Sequence, residues 1–376
     1  MRKALGFYEQ AVALDPGFVE AWSQLSQANS ILYFFRGPTL ELAERARQTA
    51  EKAAALAPRR PEGYRALGTY QRLVVGDNAR ALEEYAKGQR TAPANADLLT
   101  GIALSEMALG RWEAAVEHLR QAERLDPRSV GSPQNLAWML LNLRRYTEAR
   151  EACDRGLALA PANLPLITYK AMTFLGEGNL VAARALLKSA LKNVEPTAVV
   201  AYMATYNDLV WVLDEEEREV LLRLPPGAFG DNRGIWGLCL AQAAALKGNV
   251  ASVRTYAEEA RKDFAEQLRA LPDDTQNHAE LGLTLAYLGR KEEAIREGER
   301  AVTLLPMGKD AFVGPYLQHQ LARIYILVGE SEKALDSLEP LLRIPYCLSP
   351  GWLKIDPNFD PLRDNPRFRK LVAGAK

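Results

Sequence analysis

Cysteine is almost missing from the sequence: Cys153, Cys239 and Cys347 stand far apart, with no Cys-x-x-Cys spacing. A disulfide framework is thereby excluded, and the sparse, odd set fits a reducing compartment, so the expected location is the cytoplasm, or the periplasm if a longer product carries an upstream membrane segment. Histidine is as scarce, at three residues, and His118, His278 and His319 have no metal-ligand spacing to cysteines or acidic residues. No apolar run approaches the roughly 20 residues that span a bilayer. Charge of one sign is also lacking, because 47 basic residues face 47 acidic ones. No net field therefore draws the chain to nucleic acid or to an anionic membrane. Gly-x-Ser-x-Gly, Walker and Gly-x-Gly-x-x-Gly motifs are all absent. The expectation is a protein with no catalytic residues, no metal and no cofactor. The acidic run Asp214-Glu215-Glu216-Glu217 reads as a solvated helix face.

What the sequence does contain is punctuation. A proline ends a recurring phrase at Pro16, Pro58, Pro93, Pro127, Pro161, Pro196, Pro272 and Pro306, with spacings of 42, 35, 34, 34, 35, 76 and 34. The gap of 76 is about two periods. A fixed period of this size marks stacked units, none of which buries its apolar face alone. Twelve residues before the proline stands a small residue (Ala46, Ala81, Ala115, Ala149, Ala294), and seven later another (Ala53, Gly88, Ala122, Gly156, Ala301). Between them lies a packing position such as Tyr85 or Leu119. Spacings of four and three place these on one helical stripe. A preceding helix carries the complementary stripe, as in Tyr64-x-x-Leu67-Gly68 and His278-x-x-Leu281-Gly282, and Gly76, Gly110, Gly178, Gly248, Gly289 and Gly329 break the chain between the two helices.

Aromatic-x-x-Leu-Gly, then Ala-x-x-x-aromatic, then Pro, at a period of 34, resembles the tetratricopeptide repeat. The resemblance implies an all-α fold, a right-handed superhelical solenoid of helix-turn-helix units that binds a protein or peptide in a groove lined by the first helices. Nine units and a leading half unit are expected. They fall into an N-terminal sub-array over 1–196, a degenerate unit or bend over 197–232, a second sub-array over 233–345 and a proline-rich capping tail over 346–376. The first full unit carries about eight extra residues around Phe34 to Thr39, expected to protrude as a loop. The degenerate unit opens on an apolar helix through Tyr202, Tyr206, Leu209 and Val212. Groove-facing positions follow by counting from the aromatic signature: Arg65, Thr69 and Arg72, then Gln134, Trp138 and Thr168, then Tyr316, His319 and Arg323. Trp138 reads either as an exposed anchor or as a space-filler against the next helix. Arg65 and Arg72, two turns apart on one face, read either as a carboxylate or phospho-group clamp or as a solvated pair with local acidic partners.

The two ends differ. Ala4, Tyr8, Ala11 and Pro16 match a second helix with no first helix before it, so the array is expected to begin raw and to offer a surface for self-association. The ending Asp356-Pro357-Asn358-Phe359-Asp360-Pro361-Leu362-Arg363 followed by Pro366-Arg367-Phe368 resembles the close of bacterial tetratricopeptide arrays fused to serine/threonine kinase, nucleotide cyclase or DNA-binding regulator domains. That resemblance implies the sensor or interaction part of a signalling protein. A purely structural self-assembling array is a second reading. A small-molecule sensor is a third, and it requires a pocket near the degenerate unit.

Overall fold

The computed structural model describes residues 2–36, 38–192, 194–205 and 208–374. Among these the secondary structure is helical throughout, in consecutive antiparallel pairs: Val19–Arg36 with Leu40–Leu56, Pro61–Tyr70 with Asn78–Thr91, Ala96–Ala108 with Trp112–Leu125, and so on to Val313–Leu327 with Ser331–Arg343. The fold is an all-α repeat fold. By packing, the chain forms two compact units, Met1–Ser132 and Pro133–Lys376. The composition break at 197–232 lies inside the second.

The punctuation acts as the dihedral angles require. The second helices end two residues before the proline, at Leu56, Thr91, Leu125, Leu159, Ala270 and Leu304. The residue between, for example Ala57 (φ −147°, ψ 74°) or Ala92 (φ −142°, ψ 76°), is pushed out of the helical region by the proline ring that follows. Pro196 behaves otherwise. It opens the helix Pro196–Thr205 instead of closing one, because position N1 of a helix has no intrahelical N–H bond to lose.

The small-residue stripe is the packing seam. Ala46, Ala50, Ala53, Ala81, Ala115, Ala122, Ala149, Ala294 and Ala301 are fully buried. At Gly156 an added Cβ would lie 2.5 Å from a methyl of Leu166, so the glycine is what lets the next unit's first helix close in. All six inter-helix glycines adopt φ between 70° and 81°, the left-handed conformation that closes a helix C-terminus. The unit of Gly131–Asn142 and Tyr146–Leu159 has no glycine at this turn. There Arg144 takes the left-handed conformation itself, at φ 58°.

Three expectations change. The extra residues of the first full unit do not form a loop up to Arg36: the helix Val19–Arg36 runs on through Ile31, Leu32, Tyr33 and Phe34, since nothing in that apolar stretch breaks it before Gly37. The helix expected through Tyr202, Leu209 and Val212 ends at Thr205, and Leu209–Val212 is a separate 3-10 turn begun by Asp208 at φ 54°; Tyr206 lies outside the described residues. The acidic run is a helix start, not merely a solvated face. Asp214 accepts from the Glu217 N–H at 3.0 Å and Glu217 accepts from the Asp214 N–H at 2.8 Å, a reciprocal capping box.

After Arg343 the chain turns back as Pro350–Ile355, Pro357–Leu362 and Pro366–Ala373. Arg367 pairs with Glu332, Asp336 and Glu339 of the last repeat helix. The tail also reaches much earlier repeats of the same unit. Ser349 Oγ donates to the Gly176 carbonyl at 2.6 Å, and Gly351 packs against Gly176 and Gly178. The Trp352 ring meets Trp211 edge-on at 5.9 Å. Arg144 donates Nε and Nη2 to the Leu348 carbonyl (3.1 and 2.8 Å), Nη1 to Ile344 (3.1 Å) and Nη2 to Leu341 (3.1 Å).

Candidate functional site

In the first unit the first helices Val19–Arg36, Pro61–Tyr70 and Ala96–Ala108 pack side by side. Arg65 is the buried tie between all three: its guanidinium holds Glu20 at 2.6 Å, pairs with Asp97 and reaches Ser23 Oγ at 3.4 Å. Its charge is already matched by two carboxylates, so it offers no free cation to an acidic partner. Thr69 is buried too; its hydroxyl donates to the Arg65 carbonyl and meets the Tyr85 hydroxyl, each at 2.9 Å. Arg72 differs. It sits on the single π-turn Gln71–Val75, is half-buried and has no ion pair among the described residues, and its Nε is enclosed without a hydrogen bond. The Gln27 Nε2 and the Gln71 Oε1 on the same pair of neighbouring elements are likewise enclosed and unpartnered. Buried polar atoms without partners are uncommon enough to demand an explanation, and π-turns recur at functional positions.

In the second unit Gln134 is half-buried and accepts from Asn163 at 3.1 Å. Trp138 fills space, packing 4.9 Å from Tyr169 on the next first helix and 6.2 Å, edge-on, from Phe312. Its indole Nε1 is enclosed without an acceptor. Thr168 is buried with its hydroxyl 3.6 Å from the Met203 sulfur. Tyr316, His319 and Arg323 lie along one helix. Burial holds the Tyr316 phenol well above its ordinary range. His319 stacks on Phe359 of the tail, its Nδ1 is 3.1 Å from the Tyr346 hydroxyl, and burial together with the nearby Arg323 charge lowers it to about 3. It is a neutral ring at physiological pH.

Arg323 is 3% exposed and ion-pairs with Asp208 at 2.8 Å. Burial would raise the Asp208 carboxyl, but the Arg323 charge, the His319 ring and the hydrogen bonds from Gln320 and Arg323 together hold the group below its usual range. Nη1 donates to Gln320 at 3.1 Å and Nη2 to Gln242 at 3.3 Å. Arg323 and Gln242 of this network line a cavity of about 260 Å3, together with Trp211, Leu246, Tyr287, Leu327 and Asn358. Counting groove positions found Arg323 but not Asp208, Gln242 or Tyr287. Asp208 sits just beyond a helix end in a left-handed turn that the repeat register does not encode, and no spacing rule pairs Arg323 with Gln242 or Tyr287, 81 and 36 residues before it.

A tetratricopeptide-repeat family profile matches residues 71–130 and 100–163. No curated protein sequence matches the chain. Among solved structures, a monomeric mutant of IFIT1 with m7Gppp-AAAA is similar at a TM-score of 0.50 and 14% identity, over 81% of this chain and 67% of that one. PilF of Pseudomonas aeruginosa is similar at 0.38 and 17%, over 65% and 92%. MamA is similar at 0.35 and 16%, over 50% and 96%. At these identities the likeness concerns fold alone. Among the described residues, no helix is long and apolar enough to cross a membrane.

Proposed function

We propose that the chain is a non-catalytic scaffold that binds a protein or peptide on the first-helix face of its first unit, at Arg72 and the π-turn that carries it. The observation behind this reading is the cluster of enclosed, unpartnered polar atoms there, on Gln27, Gln71 and Arg72. A peptide backbone supplies both the acceptors and the donors that these groups lack. In the second unit the rings and the charge at corresponding positions pack internally, Trp138 against Tyr169 and Phe312, His319 against the tail and Arg323 on Asp208, although the Trp138 Nε1 and the His319 Nε2 are also enclosed without partners. The tail's likeness to bacterial kinase, cyclase and regulator fusions supports a signalling sensor, with the cytoplasm as its place of action.

The test is selection of peptides on the purified protein from a displayed library, followed by titration of the best binder. Arg72→Glu is expected to weaken that binder at least tenfold with unchanged helical circular dichroism. Equal affinity for the variant refutes the site. A second reading, self-association through the N-terminal end, rests on Phe7 and Leu14, which are 69% and 88% exposed. Light scattering that finds a monomer at all concentrations removes it.

A further inference from the structure

The cavity of the second unit has a polarity of its own, independent of the partner face of the first. Arginine only donates hydrogen bonds. Because Arg323 Nη2 points at the Gln242 side chain, the oxygen of that amide must face the guanidinium and the NH2 group must face away. Gln242 is 5% exposed and lines the cavity, and its Nε2 has no protein acceptor among the described residues. Tyr287 is also in the lining and lies near the same guanidinium, and burial raises its phenol above the ordinary range. Arg323 thus holds the Gln242 oxygen and leaves the amide NH2 as a donor in the cavity lining.

The base carries no surplus positive charge. Asp208 neutralises Arg323 at 2.8 Å, and the Asp356 carboxyl lies within the field of the same guanidinium. A full negative charge would be repelled by these carboxylates, whereas a neutral carbonyl oxygen can accept from the Gln242 NH2 group without bringing a further negative charge beside them. The walls are mainly apolar, with Asn358 a further polar group in the lining, and Leu246 and Leu327 stand at 37% and 42% exposed. A volume of about 260 Å3 is at the small end of ligand sites.

We propose that this cavity binds an uncharged, largely apolar small molecule whose carbonyl oxygen accepts from the Gln242 NH2 group. The probes are N-acetyl-L-leucinamide, its carboxylate analogue N-acetyl-L-leucine, and isopentylamine, each followed by saturation-transfer NMR on the full chain at pH 7.5. The neutral amide is expected to saturate in the millimolar range, the carboxylate to bind at least fivefold more weakly, and the amine not to bind. Gln242→Glu keeps an oxygen toward Arg323 but replaces the donor by an acceptor, and is expected to weaken the amide at least tenfold. Leu246→Trp, a change at a partly exposed wall position that leaves the buried network intact, is expected to abolish binding by filling the space, so the proposal stays testable if Gln242→Glu does not fold. Failure of the amide to bind the parent protein, or equal binding by the parent and by a folded variant, overturns the proposal.

Discussion

Replacing Arg144 by glycine sets two effects of known sign against each other. The left-handed conformation at φ 58° costs a side-chain-bearing residue about 1 kcal/mol, which glycine recovers. Against this, the guanidinium satisfies three backbone carbonyls, those of Leu341, Ile344 and Leu348. At about 1 kcal/mol net for each carbonyl, their loss costs about 3 kcal/mol. The balance is about 2 kcal/mol against the tail, despite the relief of strain. Arg144→Ala keeps the strain and loses the bonds, and should therefore cost about 1 kcal/mol more than the glycine variant. Repeat arrays do not unfold as one cooperative unit, so global melting is the wrong assay. Native-state hydrogen exchange at the tail amides of Trp352, Leu353 and Phe359, all hydrogen-bonded, reads the local free energy directly. Arg144→Gly should lower their protection roughly thirtyfold, the equivalent of about 2 kcal/mol. Protection equal to or above the parent's would refute the idea that this arginine anchors the tail.

Other outcomes follow from the same structure. Gly101→Ala places a methyl 2.5 Å from the Tyr85 ring, which Gly68 approaches from another helix, so the first unit should lose about 1–3 kcal/mol in urea titration. Burial pushes the Asp356 carboxyl up to about 6, against opposing hydrogen bonds from Asn358 and Trp352 and the Arg323 charge. The folded state then binds the proton more tightly than the unfolded chain, so this stabilisation is complete below about pH 4 and is lost as pH rises through 6. His319, lowered from 6.5 to about 3, acts in the opposite sense, since its contribution is present above pH 6.5 and lost as pH falls. Asp356→Asn should therefore leave tail protection falling steadily between pH 7 and pH 5, measured by hydrogen exchange corrected for intrinsic rate. A gain in protection on acidification that persists in the variant would assign the effect to another group.

Much of the fold is written in local signals. The proline before which each second helix stops, the small residues at four-and-three spacing and the glycines at positive φ all act over a few residues, so the sequence exposes them directly. Pro196 shows the limit of that reading. The same residue ends one helix or begins the next according to which backbone N–H groups are in use, and the phrase Val194-Glu195-Pro196 does not say which. The turn at Arg144 was legible only as a missing glycine. What replaced it, bonds to carbonyls some 200 residues on, belongs to the folded unit. The groove count found the first-helix positions but not their state. Arg65 and Arg323 are held by carboxylates that lie 32 and more residues away, and a repeat register contains no information on such pairs.

The central claim, that a partner docks on the first-helix face of the first unit, is tested most directly by hydrogen exchange on a complex with a peptide selected against the purified chain. Binding should slow exchange in Val19–Arg36 and Pro61–Tyr70 and through the turn Gln71–Val75, while Leu164–Gly176 and the tail from Pro350 stay as they are in the free protein. Slowed exchange confined to the second helices, or to the second unit, would contradict the account.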